Sequence, residues 1–248
     1  MTMSDSPPPV LNRYVWLFSI AAILAVFFPI WTWLALGDGK LFAFDHACAA
    51  YWKEHGVGWE WDLMVLLTDL GGVATMAMVA IMGALWQFSL RNRGFGRAWF
   101  AIVVGGAMAN QMLKIPIDRE RPEEFLRDRA VLERNQSYPS GHSMGSVIGY
   151  GMLCYVLLRQ ARFPLRRTVI LMFFVVFVLG IGFSRIYLRA HWFSDVIGGW
   201  IAGLCWLTFW LGWLERRRLR FAQAEKVLAV KEADVSEPVP VHSRLAGP

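Results

Sequence analysis

Ser184-Arg185-Ile186-Tyr187-Leu188-Arg189-Ala190-His191-Trp192-Phe193-Ser194-Asp195 sets a charged cluster between two runs, Thr168–Ser184 and Val196–Leu214, that are too apolar to lie in water. His191 and Asp195 are four residues apart, so on a helix they would share a face, with the carboxylate holding one imidazole nitrogen and the other left open. A histidine fixed in that way serves as a nucleophile or a base. Arg185, six residues before His191, offers a planar fork of donors to the phosphate oxygens that such a histidine would attack. The same residues also read as an ordinary basic connection at a membrane surface. The rest of the chain decides between the two readings.

Of 248 residues 56% are apolar, including 13 Trp and 17 Phe, whereas a typical soluble domain has about 45–50%. Six runs free of charge fit a bilayer: Tyr14–Leu36, Leu70–Leu90, Ala98–Leu113, Ser143–Leu158, Thr168–Ser184 and Val196–Leu214. Several fall short of the roughly 20 residues a full span needs, so the helices are expected to continue into the flanking charged motifs. Those motifs then sit on helix ends at the membrane surface. The fold class is all-α, an integral membrane bundle of six transmembrane helices.

The formal charge of +6 is spread between the apolar runs and forms no single stripe, which argues against nucleic acid and for anionic lipid as partner. Cys48, Cys154 and Cys205 give neither a disulfide framework nor a metal-ligand spacing.

Residues 1–12, with Pro7, Pro8 and Pro9, read as a disordered lead. Tyr14–Leu36 is too long for a signal-peptide core and lacks a clear cleavage site, so it counts as the first helix of a membrane domain spanning 13–221. From Ala222 the chain turns polar and proline-containing, and 222–248 reads as a flexible tail. The loop Gly37–Asp62 holds Trp52, Trp59 and Trp61, an aromatic belt suited to a short helix along the membrane; its His46 and His55 read as surface residues.

Arg91, Arg93 and Arg97 follow the second span, Arg159, Arg162, Arg166 and Arg167 the fourth, and Arg216, Arg217, Arg218 and Arg220 the sixth. The positive-inside rule makes these connections and both termini cytoplasmic, so the candidate chemistry faces outward, which in a bacterium is the periplasm. The connection after the third span, with Lys114, Arg119, Arg121, Arg127, Arg129 and Arg134, is basic against that rule and reads as functional.

Two more clusters fall on the outward side. Lys114-Ile115-Pro116-Ile117-Asp118-Arg119-Glu120-Arg121-Pro122 closes the third span, and Pro139-Ser140-Gly141-His142 precedes the fourth. Ser140 suits a helix cap, and Gly141 lets an anion approach free amides at a helix start, a seat for phosphate beside His142. In order and spacing, Lys114-x6-Arg121-Pro122, Pro139-Ser140-Gly141-His142 and Ser184-Arg185-x5-His191-x3-Asp195 resemble the three signature motifs of the type-2 phosphatidic acid phosphatase superfamily, the lipid phosphate phosphatases.

The resemblance implies a six-helix enzyme of the bacterial inner membrane, with its site at the outer face, that hydrolyses a lipid phosphate or pyrophosphate without metal through a phosphohistidine. It implies His191 as nucleophile, Asp195 as its orienting carboxylate, and His142 as the acid that protonates the leaving group and later activates water. Lys114, Arg121 and Arg185 would bind the phosphoryl oxygens with Ser140 and the Gly141 amide. Fixed cations can neutralise those oxygens as Mg²⁺ does elsewhere, and no carboxylate cluster resembles a divalent-metal site, so neither metal nor cofactor is expected.

Arg119 and Arg189 are the candidates for contact with a second phosphate or the headgroup. Asp69 is a candidate because ionisable groups in spans are costly, and Asn110 and Gln111 either bridge helices or touch substrate. Arg127, Arg129 and Arg134 read as snorkelling side chains. The His191–Asp195 stretch resembles bacterial members acting on polyprenyl pyrophosphates or lipid A, so undecaprenyl pyrophosphate leads the substrate list. A lipid phosphotransferase, moving phosphate from undecaprenyl pyrophosphate to lipid A, is the alternative within enzymes. A transporter is the alternative outside them, but it calls for ionisable groups near the midplane on several helices. No obligatory protein partner is expected.

Overall fold

The computed structural model describes residues 13–56, 58–122 and 136–236. The lead 1–12, Arg127, Arg129 and Arg134, and the chain beyond Ser236 lie outside the described residues. The described residues form helices α1 (Arg13–Leu36), α2 (Lys40–His55), α3 (Glu60–Leu70), α4 (Val73–Ser89), α5 (Arg93–Ile117), α6 (Gly141–Gln160), α7 (Pro164–Tyr187) and α8 (Phe193–Ser236), with no strand among them.

Five helices, α1, α5, α6, α7 and α8, are long and apolar enough to cross a bilayer, and α3 with α4 makes a sixth, bent span. The helices do run on into the charged motifs: α5 carries Lys114 inside its last turn, and α7 carries Arg185. Their starts follow local rules. Asn92 caps α5 by accepting from Phe95 N at 3.4 Å, Ser140 caps α6 by accepting from Ser143 N at 3.4 Å, and Pro164 opens α7.

The second span differs from the expected Leu70–Leu90. The axis bends by 45° at Gly71-Gly72, and the apolar residues Leu63–Leu67, which precede the expected span, belong to α3, packed on α7. At the bend a side chain on Gly71 would meet Ile181 Cγ2 at 2.5 Å and His142 Cβ at 3.4 Å, so glycine lets the break come up against the start of α6. The aromatic loop is largely α2, lying against α1, α7 and α8.

The expected tail also differs, because α8 continues to Ser236. Ala222, Gln223, Ala224, Glu225, Lys226, Leu228 and Ala229 are good helix formers, and no Gly or Pro interrupts them before Pro238, so polarity alone does not end the helix.

The core lies between α4, α5, α6 and α8, where Trp99, Ile102, Met144, Ile148 and Met152 are buried. Outward residues such as Ile23, Trp33, Phe173 and Val176 are exposed, as suits contact with lipid. In lipid, helices gain little from burying apolar surface against one another, so close approach through small residues matters more. A side chain on Gly199 of α8 would stand 2.6 Å from the Ser140 carbonyl oxygen and 2.9 Å from Ser143 Cβ. That close contact brings the start of α8 onto the start of α6, where Ser140 N donates to the Asp195 carbonyl at 3.0 Å. Gly199→Ala must push the two helix starts apart, at a cost of about 1–3 kcal/mol for an overpacked site. We expect a lower melting temperature together with a loss of activity, read by thermal unfolding and phosphate release in detergent; an active variant of unchanged stability would contradict this.

Candidate active site

The chain between α7 and α8 is a turn. The Arg185 carbonyl accepts from both Ala190 N at 2.9 Å and His191 N at 3.2 Å, and Arg189, at φ +54°, reverses the backbone. His191 and Asp195 therefore do not share a helix face, as the sequence reading supposed. Trp192 N donates to Asp195 Oδ2 at 2.9 Å, so the carboxylate caps its own helix as in half of a capping box. That cap still puts His191 Nδ1 3.5 Å from Asp195 Oδ2.

Ser137 closes the gap. Its hydroxyl donates to Asp195 Oδ2 and stands 3.2 Å from His191 Nδ1. With that proton committed to the carboxylate, the Ser137 oxygen accepts from Nδ1–H, and the imidazole lone pair is left on Nε2.

The other carboxylate oxygen has a different partner. Arg119 donates to Asp195 Oδ1 at 2.7 Å, to Ser194 Oγ at 2.7 Å and to Asp45 Oδ2 at 2.8 Å, while Asp45 Oδ1 accepts from Ser194 N at 2.9 Å. Ser194 Oγ also donates to Asp45 Oδ2. Arg119, expected among the substrate contacts, is thus spent between two buried carboxylates. It steadies Asp195, and through Asp45 it ties α2 to the turn that carries His191.

A cavity of about 560 Å³ runs between α4, α5 and α6. Lys114, Arg121, Gly141, His142 and His191 line it together with Asn110 and Gln111, and Met76, Ala80, Val103, Val104 and Ala107 make its apolar length. Arg121 donates to the Ala190 carbonyl at 3.1 Å and Lys114 Nζ to that of Gln136 at 2.7 Å, so both cations are anchored by backbone. Arg185 is buried, held by Thr68 Oγ1 at 2.8 Å, and outside the lining. Its charge still reaches the site. Burial first, then Arg121, Arg185, Lys114 and His142, push His191 well below the usual histidine pKa.

Ser140, Arg119 and Arg189 are not among the lining residues. Ser140 is buried, its amide given to Asp195 and its hydroxyl to the cap, so of the Ser140-Gly141 pair only Gly141 faces the cavity. Asn110 both lines the cavity and bridges helices, donating to the Pro139 carbonyl at 3.3 Å. Asp69 lies in the last turn of α3, its carbonyl accepting from Thr75 Oγ1 at 2.7 Å across the bend. His46 is exposed on α2, its ring centroid 4.6 Å from that of Trp192. Among the described residues no three His, Cys, Asp or Glu side chains gather as a metal cluster. Ser137, Asp45 and Thr68 were missed from sequence. Ser137 lies just before the Pro139–His142 motif and was within reach of it, but Asp45 is a single acid in an aromatic loop.

Such a cavity asks for an amphiphile, apolar for most of its length and anionic at one end, and an enzyme of membrane lipid phosphates meets that demand. Residues 95–219 match the PAP2 superfamily, and the chain belongs to it as a multi-pass membrane protein and lipid phosphatase. Phosphatidylglycerophosphatase B of Bacillus subtilis is 32% identical over 168 residues, 66% of this chain and 80% of that protein. Undecaprenyl-diphosphatase of Sulfolobus acidocaldarius is 26% identical over 150 residues (59% and 66%), and lipid A 1-phosphatase of Rhizobium etli 33% over 150 residues (50% and 58%). A crystal structure of the PAP2-type phosphatidylglycerolphosphate phosphatase of Bacillus subtilis aligns with a TM-score of 0.70 at 26% identity, over 79% of this chain and 96% of that one. The expected family and membrane helical fold are borne out, and the transporter reading falls.

Losing an outer partner that orients a metal-bound histidine costs about 10–100-fold in affinity or activity, and the partners that hold Asp195 are expected to matter to the same order. Arg119→Ala and Asp45→Ala are therefore expected to lower kcat by that factor with little change in KM, and Arg119→Lys, which lacks the fork, to recover only part. Steady-state kinetics in detergent check this. A rise in KM at constant kcat would return Arg119 to the substrate.

Proposed function

We propose that this lipid phosphatase removes the terminal phosphate of a lipid phosphate or pyrophosphate, undecaprenyl pyrophosphate included, through a phosphohistidine on His191. The observation that carries the reading is Ser137 Oγ set between Asp195 Oδ2 and Nδ1 of the cavity-lining His191, an arrangement that supports a proton on Nδ1 and a lone pair on Nε2. Nε2 attacks phosphorus as the bond to the leaving oxygen breaks, and His142 gives that oxygen its proton. His142 then takes a proton from water, whose oxygen attacks the phosphohistidine and releases inorganic phosphate. Lys114 and Arg121 at the cavity, with Arg185 behind them, neutralise the charge spread over the transferring group. The names of the relatives span glycerophospholipid, polyprenyl and lipid A phosphates, which share a terminal phosphate on an apolar anchor.

His191→Ala is expected to abolish both turnover and acid-trapped phosphoenzyme from labelled substrate. His142→Ala should still phosphorylate slowly when the leaving group is a good one. Equal loss on good and poor leaving groups would refute the acid role, and label retained in the His191 variant would refute the nucleophile. Phosphate release from a panel of the lipids, with and without an acceptor lipid, separates hydrolysis from transfer.

The proposed setting is the bacterial inner membrane, with the site on the periplasmic side and both termini cytoplasmic. The basic stretches Arg91–Arg97, Arg159–Arg167 and Arg216–Arg220 support it, since each lies at the end of its span remote from His191. Alkaline phosphatase fused after Arg220 is expected to be inactive, and an active fusion would invert the topology.

A further inference from the structure

A second groove, of about 430 Å³, lies between α5 and α8, lined by Gly94, Arg97, Ala98, Ala101 and Ile102 of α5 and Trp210, Trp213 and Arg217 of α8. Arg97 precedes Lys114 on the same helix by 17 residues, about 25 Å at 1.5 Å per residue, close to the thickness of a hydrocarbon core. The groove therefore belongs to the leaflet opposite the active site.

Its chemistry is split. Ala98, Ala101, Ile102 and the indoles form an apolar floor, and two guanidinium groups stand at its rim with no carboxylate in the lining. Arg217 is held over the rings of Trp213, at 5.3 Å, and Phe221, at 5.4 Å, contacts that use its face and leave its edge donors available. The nearby acid Glu215 is engaged elsewhere, accepting from Tyr155 Oη at 2.7 Å and pairing with Arg218 at 3.8 Å.

We propose that this groove holds one anionic diacyl phospholipid of the bilayer, distinct from substrate. An acyl chain lies along the alanines and Ile102, and the phosphate sits between Arg97 and Arg217. Basic pockets between spans on the cytoplasmic side are where such headgroups bind, and the bound lipid pins α5 to α8 on the side away from the chemistry.

Native mass spectrometry of the purified full chain in detergent, titrated with phosphatidylglycerol, phosphatidylethanolamine or inorganic phosphate, tests the assignment. Wild type is expected to retain one phosphatidylglycerol that Arg97→Gln/Arg217→Gln binds about tenfold or more weakly, the loss expected for charge-assisted contacts. Arg121→Gln, which alters the active site, is expected to keep that lipid. Phosphatidylethanolamine binding should be the same in all three proteins, and inorganic phosphate should not displace the lipid. Retained phosphatase activity certifies the fold of the double variant; should it not fold, the single variant Arg97→Gln must weaken the same lipid. Equal retention of phosphatidylglycerol by wild type and variant, an equal effect on phosphatidylethanolamine, or displacement by phosphate would each overturn the proposal.

Discussion

The Asp195 carboxylate is shared between Arg119 on one oxygen and Ser137, Trp192 N and His191 on the other, and these contacts hold four parts of the chain together. A buried charge costs several kcal/mol unless it is paired and fully hydrogen-bonded, and here both oxygens are occupied. Meeting that demand brings the end of α5, the segment before α6, the turn after α7 and the start of α8 to one point. Asp45 extends the set to α2. The orientation of His191 follows from this arrangement, since the residue lies on a turn with no helix of its own to fix it.

Opposite charges dominate the two sides of that imidazole. Behind it lie Asp195 and Asp45 with one guanidinium between them; in front, Lys114, Arg121 and Arg185 act on the ring together with His142. Gathered cations disfavour a proton on His191, as the proposed nucleophile requires, and they attract a multiply charged phosphate. Low surrounding polarity strengthens both effects relative to water. Binding and activation thus come from the same charges.

Much of this was legible in the sequence. Charge-free runs gave the spans, and the shortness of Ala98–Leu113 correctly implied that α5 extends to Lys114. Lys114, Arg121, Gly141, His142 and His191 do meet at one cavity. What escaped depends on contacts between residues distant in the chain. Asp45 is 74 residues from Arg119, and no local pattern marks the pair. Arg119 looked like a spare cation because its charge was visible and its partner was not. The bend at Gly71-Gly72 went unread for a related reason: the two glycines sit inside an apolar stretch, and hydropathy does not see a change of axis. Polarity from Ala222 onward suggested a tail, whereas helix propensity governs there.

The lining of the cavity bears on which lipids it could separate. An apolar groove separates lipid tails weakly, since each methylene gained or lost is worth only about 1–3 kcal/mol and flexible chains adapt. Polar groups discriminate far more strongly, because a misfit leaves a buried donor or acceptor unpaired. The two cations at the cavity, Lys114 and Arg121, are each anchored to a backbone carbonyl, so their positions are set by the protein and not by the lipid anchor of a ligand. With Arg119 committed to Asp45 and Asp195, the expected pair of extra cations for a second phosphate is reduced to Arg189, on a turn outside the lining. A preference for pyrophosphate over monophosphate would therefore rest on one arginine outside the lining, whereas the proposed cleavage of either rests on the buried set around His191.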